Sequence, residues 1–134
     1  MKKEFKIGLD IHGVIDTFPE RFRHLSCALR SYGAEVHIVT GIKRSDIVDQ
    51  LLKKAGIQFT HYFSIVEHLE SVGTPIEWRG DQPHTDPSFW NNAKRDYCER
   101  EGIDLMFDDS AIYRDTFHDI PTTFLHVINA EEYQ

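Results

Sequence analysis

Apolar positions along this chain fall into two kinds of run that alternate. Short dense runs, rich in β-branched and aromatic residues, occur at residues 5–10 (FKIGLD), 35–40 (EVHIVT), 104–108 (DLMFD) and 122–128 (TTFLHVI). They predict strands, with 58–63 (QFTHYF) a weaker one. Between them apolar residues recur every three or four positions, as on one face of a helix. Phe22, Leu25, Ala28 and Leu29 mark the first helix. It opens at Thr17-Phe18-Pro19-Glu20, which has capping-box spacing and a proline tolerated in a first turn, and it closes near Gly33. Ile47, Val48, Leu51 and Leu52 mark a second helix, capped by Ser45 or Asp46 and ended by Gly56. A short helix is expected over 65–72. A longer one starts at Asp86 or Ser88, carries Phe89, Trp90, Ala93, Tyr97 and Cys98, and ends at Gly102. A further short helix follows Asp109-Ser110 to about Phe117, and 129–134 reads as a polar tail that frays.

Strands alternating with helices through short links predict an α/β fold, with a central parallel sheet covered on both faces. The whole of 1–134 reads as a single domain. The stretch 74–87, TPIEWRGDQPHTDP, is punctuated by proline and glycine. It reads as a small insertion or loop over the strand ends, with a short strand at 76–78.

Composition narrows the function. A length of 134 residues suits one domain, and a 40% hydrophobic share is that of a globular chain. The net charge of −7 argues against general nucleic-acid or anionic-membrane binding, which need a basic surface. No stretch is long and apolar enough to span a bilayer, and no signal-type apolar run lies between Met1-Lys2-Lys3-Glu4 and the first strand. The expectation is a cytoplasmic protein in which Cys27 and Cys98, far apart and without ligand spacing, are packed thiols.

The chemistry gathers at the strand exits. The first strand ends in Asp10, followed by a glycine turn and Asp16. The second ends in Thr40-Gly41, and the strand after the long helix ends in Asp108-Asp109. In a parallel sheet these exits share one edge, so carboxylates distant in sequence converge. Converging carboxylates repel and raise one another's pKa unless a cation offsets them. Mg²⁺ suits such hard oxygen ligands, and Lys94 adds a second positive charge. A site so built holds a phosphate, with the Thr40 hydroxyl and loop N–H groups as hydrogen-bond donors.

Asp10-Ile11-His12-Gly13-Val14-Ile15-Asp16, Val39-Thr40-Gly41, Lys94 and Phe107-Asp108-Asp109-Ser110 resemble the ordered motifs of the haloacid dehalogenase-like superfamily. The resemblance covers most of the chain. It implies a three-layer sandwich with a central parallel sheet of Rossmann-like topology, in a capless or minimally capped member. It also implies roles. Asp10 is the nucleophile that forms an aspartyl-phosphate, and it binds Mg²⁺ with the backbone carbonyl of His12 and the side chain of Asp108. Asp109 orients metal-bound water or completes the site, while Thr40, Gly41 and Lys94 hold the phosphoryl group. The reaction implied is Mg²⁺-dependent hydrolysis or transfer of the phosphoryl group of a phosphorylated small molecule. The departure is His12, where phosphatases of the superfamily usually carry a second aspartate as general acid and base. Histidine shuttles protons near neutral pH, and Asp16 is a stand-in if the turn brings it close. The alternatives are a non-catalytic or weakly active domain that binds metal and a phosphorylated ligand as a regulatory module, and an enzyme of the same fold with different chemistry.

Each residue also has a plainer reading. Thr40-Gly41 alone is turn chemistry, Lys94 alone a solvated lysine, and Asp108-Asp109-Ser110 a helix cap. Lys43 competes for the phosphate. Asp16 reads as a helix-entry residue, His84 and Asp86 as surface, and Phe89, Trp90 and Tyr97 as core. Trp78, Arg79 and His84 reach substrate only if 74–87 folds over the strand exits. No His-Glu-x-x-His or Cys/His cluster, phosphate-binding glycine loop or Gly-x-Ser-x-Gly elbow is present.

Overall fold

A computed structural model describes residues 4–133. Residues 1–3, ahead of the first strand, and Gln134, the end of the expected polar tail, lie outside them. In chain order the elements are β1 (Lys6–Leu9), α1 (Pro19–Ser31), β2 (Glu35–Thr40), α2 (Asp46–Ala55), β3 (His61–Ser64), α3 (Ile65–Ser71), β4 (Glu77–Arg79), β5 (Gln82–His84), α4 (Pro87–Glu101), β6 (Leu105–Asp108), α5 (Ala111–Arg114) and β7 (Thr123–His126). An irregular turn at Ile11–Ile15 follows β1, and a 3-10 turn at Ala130–Tyr133 follows β7.

The main sheet has five parallel strands in the order β3-β2-β1-β6-β7. The chain starts in the middle, lays β2 and β3 to one side, then β6 and β7 to the other. The order therefore reverses between β1 and β6, and in open parallel sheets ligands bind outside the strand ends at such a switch point. Register fixes what meets there. Leu9 pairs with Ile38 on one side and Phe107 on the other, so Asp10 and Asp108 leave neighbouring strands at the same level.

Side chains alternate across the strands and split the core in two. Ile7, Leu9, Val36 and Ile38 pack with Phe22 of α1 and with Val48 and Leu52 of α2. Val39 and Met106 pack with Ile65 and Leu69 of α3 and with Ala93, Tyr97 and Cys98 of α4. Helices thus flank the sheet, as the alternation of strand and helix predicts. Leu9 is fully buried, and truncating it to alanine is expected to cost about 2–5 kcal/mol.

Several expectations needed adjusting. The Thr17–Glu20 capping box does not form: α1 is preceded by Phe18, which has no side-chain cap bond. The Thr17 hydroxyl instead donates to Asp16 Oδ1 at 3.1 Å. Ser45, not Asp46, caps α2, and Asp86, not Ser88, caps α4. β3 starts three residues later than 58, because Ile57 and Phe59 turn in to pack on the cluster beneath α1 and α2. β7 is shorter than 122–128, and α5 ends at Arg114 rather than near Phe117. The 74–87 stretch holds a two-stranded antiparallel hairpin, with Trp78 opposite Pro83, rather than a lone strand at 76–78. Among the described residues no helix is long and apolar enough to cross a membrane. Cys27 and Cys98 are both free thiols.

Candidate functional site

Asp10 is the first residue past β1 and is only 6% exposed. Its extended backbone turns the chain, and its Oδ1 accepts the Ile11 N–H at 2.8 Å. Asp108 ends β6 and is fully buried, with Oδ1 accepting the Ser110 N–H at 3.0 Å. Between the two carboxylates lies Lys94 of α4, 1% exposed. Its Nζ donates to Asp108 Oδ2 at 2.7 Å and lies 3.2 Å from Asp10 Oδ1. It also stands 4.3 Å from the ring centroid of Tyr113, whose π face favours a cation. A lysine is rarely buried so completely unless it is paired, and here residues 84 and 14 positions apart are its partners.

Asp109 completes an oxygen-only group: one carboxylate oxygen each from Asp10, Asp108 and Asp109 lies within 4.8 Å of the others. Asp109 rests against the turn after β1. Gly13 has φ +81°, a backbone conformation that favours glycine, and a Cβ there would also displace the Asp109 carboxylate. Asp10 and Asp108 both pair with the Lys94 ammonium, and Asp109 adds a third carboxylate to the group. Burial, with Asp108 adding to it, pushes Asp10 up to about 6 against the pull of Lys94. Burial opposes the Lys94 charge, but Asp10 and Asp108 outweigh it and hold the ammonium above its ordinary pKa. The all-oxygen donor set fits a hard divalent cation.

The turn at Ile11–Ile15 breaks helical geometry at His12 (ψ 127°) and Gly13. Asp16 gathers it. Its Oδ1 accepts the Gly13 N–H at 2.8 Å, and its Oδ2 lies 3.0 Å from His12 Nδ1. Burial would raise the Asp16 pKa, but the bonds from His12, Gly13 and Thr17 more than offset it and lower the value. The His12 side chain is 63% exposed. The turn therefore holds the Asp16 carboxylate against the His12 ring.

Thr40 ends β2 and is buried. By register it stands one step beyond Asp10 on the adjacent strand. The Gly41 carbonyl accepts the Val66 N–H at 3.3 Å and the Ser64 hydroxyl at 3.2 Å, so this loop is held from α3 and β3. Lys43 pairs with Glu70 at 3.0 Å and is well exposed, which leaves Lys94 as the cation at the carboxylates. Asp86 caps α4, His84 is exposed on β5, and Arg79 lies 3.4 Å from Glu77. A cavity of about 520 Å³ beside α3 and α4 includes none of these site residues.

Two features had no clear signal in the sequence. Tyr113 roofs Lys94 and accepts the Trp90 Nε1–H at 2.7 Å, a link between α4 and α5 that only the packing reveals. Glu35, His37 and His61 come together toward the other end of the sheet. The Glu-x-His spacing on β2 hinted at a shared face, but pairing His37 with His61 needs the strand register. Compared with models of known protein families and with curated proteins, the chain matches none, so the reading of this site rests on its own residues and geometry.

Proposed function

We propose that this chain is a Mg²⁺-dependent phosphatase or phosphotransferase that acts on a phosphomonoester through Asp10. In this reading the sheet and its flanking helices are the three-layer sandwich of a haloacid dehalogenase-like domain, and the hairpin is its minimal cap. The observation that carries the reading is Lys94, buried between Asp10 and Asp108 at the switch point of the sheet. Perturbed ionisable groups in a strand-end crevice are the usual mark of a chemical site.

Each residue then has a task. An Asp10 carboxylate oxygen attacks phosphorus, and the ester P–O bond breaks as the aspartyl-phosphate forms. His12 gives its Nε2 proton to the departing oxygen, because Asp16 engages Nδ1 and leaves Nε2 for the shuttle. Nε2 then takes a proton from the water that attacks the aspartyl-phosphate. Phosphate leaves and the Asp10 carboxylate is restored. Lys94, Thr40 and the Gly41 N–H hold the phosphoryl oxygens. Asp10, Asp108 and the His12 carbonyl, with Asp109 beside them, would hold Mg²⁺, which supplies positive charge to the phosphoryl group.

Phosphate release from a broad panel of phosphomonoesters with Mg²⁺ tests this, with Asp10→Asn and His12→Asp alongside wild type. Wild-type turnover that vanishes in Asp10→Asn is expected. Full activity in Asp10→Asn would remove the nucleophile. A silent wild type that gains activity in His12→Asp would favour the second reading, a module that binds a phosphorylated ligand without turnover; the observation behind it is the histidine at position 12 itself.

A further inference from the structure

A cavity that includes Gly41 in its wall has no task in the mechanism above. It measures about 350 Å³, within the range of ordinary ligand pockets, and Gly41, Trp78, Pro83 and Trp90 contribute to its wall. The chain has two tryptophans, and both line this cavity.

The two indoles are held differently. Trp90, on α4, is tied by its Nε1–H to the Tyr113 hydroxyl at 2.7 Å, and that tyrosine covers the Lys94 ammonium. Its ring presses on the loop after Thr40: a Cβ on Gly41 would lie 3.1 Å from Trp90 Cζ2. One wall of the cavity is therefore continuous with the residues assigned to the phosphoryl group. Trp78, on β4, is 50% exposed although it is among the largest apolar side chains. Tryptophan offers a wide flat face, and a half-open one beside a reactive site has surface left for a planar partner. Lys43 and Asp81 put one charge of each sign on the wall, so net charge selects nothing there and stacking is left to discriminate.

We propose that this cavity receives the planar aromatic group of the phosphomonoester, a nucleobase or an aryl ring, against Trp78 and Trp90. The chain then selects aromatic phosphomonoesters over aliphatic ones. This rests on the reading of the Asp10 site as a phosphoryl-transfer site. The hairpin acts as a specificity element, with Trp90 the fixed wall and Trp78 the open one.

Tryptophan emission reports on this cavity, because both indoles line it, and the aliphatic phosphates control for changes passed to Trp90 from the phosphoryl site. The experiment titrates Asp10→Asn protein, with Mg²⁺, against adenosine 5′-monophosphate, phenyl phosphate, glycerol 3-phosphate and phosphocholine. Saturable quenching is expected with the aromatic phosphates, at least about tenfold tighter than with glycerol phosphate. The stronger of the two aromatic arms distinguishes nucleobase from aryl ring. Trp78→Ala should weaken the aromatic ligands by about tenfold and glycerol phosphate hardly at all, while Trp78→Phe keeps most of the affinity. Equal affinity for glycerol phosphate, tightest binding of phosphocholine, or indifference to Trp78→Ala would each overturn the proposal. Its failure differs from failure of the phosphatase reading. Asp10-dependent turnover blind to the ester group leaves the phosphatase and removes the slot. Aromatic quenching together with turnover that survives Asp10→Asn leaves the slot and removes the nucleophile.

Discussion

Two groups of ionisable side chains lie along the same sheet, and the protein treats them in opposite ways. Past the strand exits, Asp10 and Asp108 share the ammonium of Lys94, with the Asp109 carboxylate beside them. Toward the strand starts, His37 Nε2 lies 2.8 Å from Glu35 Oε1 and its Nδ1 lies 2.6 Å from the Tyr97 hydroxyl. His61 stacks on the His37 ring at 4.1 Å. There each burden has a local answer. The His37 bond holds Glu35 down at about 2, and burial keeps His37 below its ordinary pKa although Glu35 pulls it up. At the other end burial, with Asp108 adding to it, outweighs the pull of Lys94, and Asp10 rises to about 6. Both groups are compact enough to be compared with metal sites. The His37 and His61 rings, however, are nearly parallel, 6° apart, so their in-plane lone pairs point side by side rather than toward one ion. A satisfied network stabilises a fold, whereas a buried carboxylate held above its ordinary pKa in a crevice marks a candidate site for a ligand.

The comparison can be broken in several places, and the largest effect is expected in catalysis. Asp10→Asn should lower phosphate release by about 10⁴-fold or more. His37→Phe, whose group lies away from the strand exits, should leave kcat/KM within about twofold once the fold is intact. Comparable losses from both substitutions would erase the distinction.

Lys94→Met should come next. It leaves two buried carboxylates without their cation, at a cost of about 3–5 kcal/mol in urea denaturation. Adding Asp108→Asn should recover part of that loss, because the remaining carboxylate then has less to repel it. A double variant no more stable than the single one would mean that the pairing seen here is not what holds this corner.

The pH dependence of stability should separate the two groups by sign. Asp10 has a folded pKa above its unfolded value of 3.8, so its contribution is full below that value and is lost as pH rises through about 6. The change is on the order of 3 kcal/mol, and Mg²⁺ should cancel it by favouring the ionised carboxylate. His37 has a folded pKa below its ordinary 6.5, so its contribution is present above 6.5 and is lost as pH falls. Melting curves with chelator and with Mg²⁺, in wild type and Asp10→Asn, should show a Mg²⁺-sensitive change near pH 6 that Asp10→Asn abolishes. A Mg²⁺ effect preserved in Asp10→Asn would place the cation elsewhere.

The smallest effect belongs to the satisfied group. Tyr97→Phe removes the partner of His37 Nδ1 and should cost about 1–3 kcal/mol with no change in turnover.

What the sequence made legible follows from physics that is local or periodic. β2 appears at 35–40 as expected, because a dense β-branched run bounded by glycines has one stable outcome. Asp10, Asp108 and Asp109 converge because parallel strand exits share an edge, a rule that needs no coordinates. Other features depend on contacts between distant residues. Lys94 is named from the motif set, but its burial between Asp10 and Asp108 depends on α4 turning it inward. Pro83 argues against a strand, yet it is tolerated on the two-stranded hairpin opposite Trp78. Thr17 looks like a cap until Asp16 takes its hydroxyl. The contact between Asp16 and His12 depends on an irregular turn whose shape Gly13 and the Asp109 carboxylate set together.

The central claim is that Asp10 becomes phosphorylated during turnover, and chemical trapping tests it most directly. Wild-type protein turning over a phosphomonoester with Mg²⁺ is quenched in acid, digested and analysed by mass spectrometry, with hydroxylamine treatment to identify an acyl phosphate. The expected result is a hydroxylamine-labile phosphoryl group on the peptide containing Asp10, absent from Asp10→Asn. A phosphoryl group on any other residue, or turnover that persists in Asp10→Asn, would contradict it.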